Sequence, residues 1–115
     1  MTDWLFDDVP NVAVLTTRSV IHDGAWIANV FRGASDGGWQ FHDGGTHTPR
    51  EKDARVVSLH SMVLRDDTLT ELADLPEGWQ AWREAPTAPW RRSRTGWRGT
   101  IARLRQRSAA LRRRM

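Results

Sequence analysis

The stretch SDGGWQFHDGG, Ser35 to Gly45, constrains this chain more than any other. Two glycine-rich turns enclose only four residues, Trp39-Gln40-Phe41-His42. They read as a short strand, with Trp39 and Phe41 on one face and Gln40 and His42 on the other. A strand this short has no stability of its own and needs a sheet around it. The aromatic pair therefore belongs to a core. Gln40 and His42, with Asp43 in the turn that follows, are the side chains left to do something else.

The rest of the first 84 residues supplies that sheet. VAVLTTRSVI (Val12–Ile21) is rich in β-branched residues and predicts a strand. Asp23-Gly24 then predicts a type I′ hairpin turn, leading into a return strand WIANVF (Trp26–Phe31). Alternation puts Trp26, Ala28 and Val30 on one face of it and Ile27, Asn29 and Phe31 on the other. The polar segment Asp43–Asp53, which carries Pro49, reads as a loop. ARVVSLHSMV (Ala54–Val63) predicts a fourth strand, and GWQAWRE (Gly78–Glu84) a last one.

Helical signals come late. Thr68 stands three residues before Glu71, the spacing of a capping box, and Leu69, Leu72 and Ala73 form an apolar stripe. Asp66 and Asp67 suit a helix N-terminus, and Pro76 and Gly78 end the helix. Beyond Thr95 the spacing of Trp97, Ile101, Leu104, Leu111 and Met115 predicts an amphipathic helix. The expected fold class is α+β. It is a mainly antiparallel sheet of four or five strands, one short packed helix and a C-terminal basic helix. The expected organisation is a body of residues 1–90 and an Arg-rich helical extension of residues 91–115.

Charge divides at the same place. Residues 1–90 carry 14 acidic and 7 basic side chains, a net −7, whereas residues 91–115 carry ten arginines and no acid. An acidic body with a basic tail follows. Arginine supplies 16 of the 17 basic residues, so guanidinium chemistry towards carboxylates and phosphates dominates. The absence of cysteine excludes disulfides, thiolate nucleophiles and cysteine-ligated zinc. The N-terminus MTDWLFDDVPN lacks the basic and apolar regions of a signal peptide, and no segment approaches the length of a membrane span. The expectation is a cytoplasmic protein.

Catalytic patterns are thin. His42 and His47 flank a turn and, with Asp43, invite a divalent-metal reading, but no HExxH spacing or dense ligand cluster supports it. Asp23, Asp36, Asp43 and Glu51 are loop carboxylates, each accounted for by turn chemistry. Ser58, His60 and Ser61 lack a nucleophile elbow, and no dinucleotide or phosphate-binding glycine motif occurs. The reading assigns no catalytic residue, metal or cofactor. Seven tryptophans, at 4, 26, 39, 79, 82, 90 and 97, exceed the needs of one small core. Trp79 and Trp82 point to opposite faces of a strand, so one of Trp79, Trp82 and Trp90 reaches the surface, where tryptophan serves as an interface anchor. The candidate partner-binding residues are Gln40, His42, Asp43, Trp82 and Trp90.

Three segments in order, VLTTRSVIHDG, then SDGGWQFHDGG, then ARVVSLHSMVLRDDTLTELADLPEGWQAWRE, resemble the immunity-protein-33-like family of small bacterial domains. The shared features are the DGGWQF turn and strand, the VVSLHSMV segment running into Asp66 and Leu69, and the LADLPEGW ending. The resemblance covers roughly residues 12–84 and stops before the arginine-rich tail. It implies an antitoxin that binds a cognate toxin domain and blocks it, and it carries over no catalytic residue. An acidic body suits a basic toxin such as a nuclease through complementary potentials. The alternative is a nucleic-acid-associated protein whose tail arginines, among them Arg98, Arg103, Arg105 and Arg107, contact phosphates weakly and without sequence preference.

Overall fold

The computed structural model describes residues 4–45 and 51–95. Short β-branched and aromatic runs form six strands: β1 (Ala13–Thr17), β2 (Asn29–Arg32), β3 (Trp39–His42), β4 (Ala54–Ser58), β5 (Trp79–Trp82) and β6 (Arg91–Arg94). They make one mixed sheet in the order β4-β1-β3-β2-β5-β6. Four of the neighbouring pairs are antiparallel, and β1 with β3 is parallel, Leu15 lying opposite Gln40. The fold is α+β, as expected, with the antiparallel pairs in the majority.

β1 and β4 each run directly into a short helix. α1 (Arg18–His22) follows Thr17, and α2 (Leu59–Arg65) follows Ser58. Ser58 is why β4 stops: its hydroxyl accepts from the Ser61 amide at 3.1 Å and caps α2, a contact worth about 1 kcal/mol. Leu59 and Met62, three apart on that helix, then reach the core fully buried. A 3-10 helix (Asp67–Leu72) buries Leu69 and Leu72 beside them.

The core lies on one face of the sheet. Val14, Val30, Trp39, Phe41 and Ala81 project from the strands onto Val20, Leu59, Met62, Leu69, Leu72 and Leu75, with Phe6 and Ile27 closing the cluster. The N-terminal segment is tied over Trp39, whose indole donates to Asp8 Oδ2 at 2.7 Å while Phe6 meets the ring edge-on at 5.5 Å. Arg83, just past β5, is the polar counterpart of that core. Its side chain donates to Ile27 O (2.9 Å), Thr68 Oγ1 (3.0 Å), Pro86 O (3.0 Å) and Asp66 Oδ2 (2.5 Å).

Several expectations are corrected. The Asp23-Gly24 hairpin does not exist: β1 and β2 are not neighbours, and α1 intervenes. Only Gly24 has a positive φ, 75°, while Asp23 sits at −104°, so the pair of positive angles that a type I′ turn requires is missing. The predicted long strands over Val12–Ile21 and Ala54–Val63 each divide into a strand and a helix. The predicted strand over Trp26–Phe31 begins later, at Asn29. The turn at Asp67–Leu72 is capped by Asp66, which accepts from Thr68, and not by a Thr68–Glu71 box. The strands number six because β6 continues the sheet beyond residue 90, on antiparallel pairing with β5. The C-terminal helix, with Arg98, Arg103, Arg105 and Arg107, lies outside the described residues, as does His47.

Candidate functional site

Strand pairing decides which side chains share the second face of the sheet. Asn29 stands opposite His42 on one side and Trp82 on the other, and Trp82 stands opposite Arg91. His42, Asn29, Trp82 and Arg91 thus form a row across β3, β2, β5 and β6. A second row runs Val56, Leu15, Gln40, Phe31, Gln80, Ser93 across all six strands. The buried side chains of α1, α2 and the 3-10 helix all belong to the core cluster on the opposite face. These three helices therefore leave the second face uncovered.

Its surface is mixed in a way that suits binding. Gln40 is exposed, and Val56, on the edge strand, is 70% exposed. Leu15, Phe31, His42 and Trp82 are half-buried, and Gln80 is buried, its amide donating to Ser93 Oγ at 2.9 Å. The His42 ring meets Phe31 edge-on at 5.4 Å and places Nε2 3.1 Å from Gln40 Oε1. Burial pushes the His42 imidazole below its ordinary 6.5, against the pull of Asp43 beside it. The side chain is therefore neutral at physiological pH and suited to a desolvated contact.

Three of the five sequence-derived candidates, Gln40, His42 and Trp82, meet on this face. Asp43 lies at its end and is structurally engaged: it accepts from Ser19 Oγ at 2.5 Å and from the Gly45 amide at 3.0 Å. Trp90 is elsewhere. It packs against the core cluster, its ring lies under the Arg83 guanidinium at 4.2 Å, and its indole donates to Thr68 Oγ1 at 3.3 Å. Trp90 is thus a prop for the segment that leads into β6. Phe31 and Leu15 were not singled out by sequence reasoning. The alternation in the sequence separates Phe31 from Val30 without saying which faces the core, and only the register places Phe31 between Gln40 and Gln80.

The polar groups near this face do not make a catalytic constellation. Ser19 gives its hydrogen bond to Asp43 directly, while His42 is turned to Gln40, so no serine–histidine–carboxylate relay exists. Ser58 is spent on capping α2, and His60 is exposed on that helix. No group of three or more potential ligands gathers to hold a metal among the described residues. Nor is any helix among them long and apolar enough to cross a membrane.

Acidic side chains collect on the other side of the molecule. Asp7, Glu71 and Asp74 line a shallow groove with Leu5, Thr70 and Ala73. Arg92, which shares the core face of the sheet with Ala81, reaches over to Asp74 Oδ1 and Glu71 O, both at 2.6 Å. Its hydrogen bond and charge hold the Asp74 carboxyl below its ordinary range. Comparison with known protein families, with characterised proteins and with solved structures finds no match to this chain.

Proposed function

We propose that this chain is a non-catalytic, cytoplasmic protein-binding module of the immunity type, which neutralises a toxin domain by docking on it through the open face of the sheet. The carrying observation is the meeting of Gln40, His42, Trp82 and Phe31 on the face of the sheet opposite α1, α2 and the Asp67–Leu72 helix. Aromatic rings with amide neighbours on a rigid sheet supply what interface cores use: large contact area, little side-chain entropy to lose, and polar groups that fix orientation. The resemblance read in residues 12–84 points the same way, although no family model matches the chain. Net acidity of the body favours a basic partner and raises the rate of encounter with one.

Growth rescue tests it. The product of each neighbouring gene is expressed in cells alone to find one that stops growth, and that toxin is then expressed with the wild-type protein and with Gln40→Arg or Phe31→Ala. Gln40 is exposed, so its replacement leaves the fold intact. Wild-type protein rescues growth and co-purifies with the toxin, and the open-face variants do neither. Rescue that survives both substitutions but is lost on Glu71→Lys would move the contact to the acidic groove.

A further inference from the structure

We infer that the edge strand β4 pairs antiparallel with the β4 of a second copy of this chain, on a two-fold axis beside Val56. The claim stands without the toxin reading.

Backbone geometry comes first. β4 (Ala54–Ser58) is an outermost strand: β1 lies on one side of it, and among the described residues no strand lies on the other. Hydrogen-bonded pairs alternate along an antiparallel ladder. Leu59, just past the strand, donates its amide to Val12 O at 2.9 Å, in register with the ladder that sets Ser58 opposite Ala13. The bonded pairs are therefore Val57 with Val14 and Arg55 with Thr16. The amides and carbonyls of Ala54, Val56 and Ser58 point the other way, out of the sheet edge. Two of these carbonyls are engaged within the chain. Ala54 O accepts from Arg55 Nη1 at 2.9 Å, and Ser58 O accepts from the Ser61 hydroxyl at 2.7 Å. Val56, between them, presents both its N–H and its C=O, and its side chain is 70% exposed.

Residue pattern selects the occupant. Val56 is the midpoint of a five-residue strand, so a two-fold axis beside it pairs the strand with itself and leaves no overhang. Val56 then meets its own copy as a bonded pair, about 5.5 Å apart at Cα. Ala54 meets the second copy's Ser58, and Arg55 meets the second copy's Val57. Two β-branched side chains face each other at the centre, small residues flank them, and no arginine stands directly opposite another. The engaged carbonyls of Ala54 and Ser58 each keep a second lone pair for the outer amides. Charge does not oppose the approach, since Glu51, Lys52, Asp53 and Arg55 hold two charges of each sign.

The opposite edge of the sheet is built differently. β6 is Arg91-Arg92-Ser93-Arg94, and pairing it with itself in the same way sets Arg91 against Arg94. Like charges directly opposite destabilise a ladder, and such charges keep natural edges unpaired. β4 has no charge at its centre. Its fit to itself is what favours a second copy over an unrelated extended segment. The strand is short, and a stable complex buries about 800 Å² per partner, so the dimer is weak and exchanges with monomer. It joins the two open faces into one surface, the row Val56, Leu15, Gln40, Phe31 continuing into its two-fold copy.

Analytical ultracentrifugation of the full-length protein over a wide concentration range tests the pairing. The wild type shifts from monomer towards dimer as concentration rises. Val56→Lys and Val56→Glu each place like charges across the axis, and each stays monomeric at every concentration. Val56 is exposed, so neither replacement disturbs the fold, which circular dichroism checks. An equimolar mixture of the two variants regains the dimer, because opposite charges then face each other, and that recovery requires the two copies of position 56 to meet. A wild type that is monomeric throughout would overturn the proposal, and so would a mixture that stays monomeric. A dimer that survives Val56→Lys but is lost on Phe31→Ala would overturn it in favour of pairing through the open face. No toxin is present in this measurement, so its failure leaves the rescue experiment standing, and the reverse holds too.

Discussion

Replacing Arg83 with methionine isolates the most concentrated polar contact in the molecule. The Arg83 side chain is 1% exposed and the Asp66 side chain 19%, with 2.5 Å between them. Methionine fills much of the aliphatic volume but leaves Asp66 without its cation and orphans the Ile27 and Pro86 carbonyls. Removing one partner of a buried pair costs about 3–5 kcal/mol, because the remaining charge stays buried. A domain of this size has about 5–15 kcal/mol in all, so about a fifth or more of the stability disappears. With a urea dependence of about 2 kcal/mol/M, a loss of about 4 kcal/mol lowers the unfolding midpoint by about 2 M. Adding Asp66→Asn to Arg83→Met restores part of the loss, since the orphaned charge is then gone. Arg83→Lys falls between, keeping the charge and losing the fork. Acid dependence gives a second readout. Burial raises the Asp66 carboxyl, but hydrogen bonds from Thr68 and Arg83 and the Arg83 charge outweigh it and hold the group below 3.8. A depressed carboxylate contributes stability above its unfolded value, which is lost as pH falls through the folded one. Arg83→Met flattens that acid slope. A midpoint shift under about 0.5 M in urea would refute the assignment of Arg83 as the polar anchor.

Trp39→Ala empties a large aromatic site and frees Asp8. It is expected to cost about 3–5 kcal/mol and to lower the thermal midpoint by at least about 10 °C, measured by circular dichroism. His42→Gln removes a pH dependence: with its folded value pushed below 6.5, His42 contributes stability that is complete above pH 6.5 and declines as pH falls toward the folded value. Wild-type stability therefore drops below pH 6.5 more steeply than that of the variant in paired urea titrations, and parallel curves would contradict the burial of the ring. Gly78→Ala forces φ near +80° on a residue with a Cβ that would also approach Ala34 at 3.4 Å, so a loss of about 1–2 kcal/mol is expected in the same assay.

The strands that were legible are the ones whose boundaries are written in local chemistry. β3 was placed residue for residue because glycines bracket it and its alternation is strict. β5 was legible because Gly78, with φ at 80°, starts it sharply. Where β-branched residues continued past a real boundary, propensity misled. Val20 and Ile21 look like strand residues and sit in α1; Val63 looks like one and sits in α2. Those helices form because Val20, Leu59 and Met62 must turn back onto the core face, a tertiary demand that outweighs a few tenths of a kcal/mol of local preference. β6 was illegible for the opposite reason. RRSR has no apolar alternation, and it is a strand because β5 needs a partner and arginines guard an exposed edge.

The face itself was half legible. Alternation separates Gln40 and His42 from the core side along β3 and only sets Trp82 apart from Trp79 along β5, and not even a full list of outward residues says that His42 and Trp82 flank one asparagine. That follows from β2 lying between β3 and β5, and the predicted Asp23-Gly24 hairpin had paired β2 with β1 instead. The same topology explains why the acidic body is not an acidic site. The carboxylates of Asp66, Asp67, Glu71 and Asp74 all fall in the segment joining α2 to β5, whose Leu69, Leu72 and Leu75 must cover the core face, so they are carried to the side opposite Gln40. Charge and aromatic surface, which look like one binding signature in the linear sequence, are held on opposite sides of the sheet. A basic partner is thus steered by one side and gripped by the other only if it wraps the β6 edge, where Arg91 faces the open side and Arg92 the acidic one.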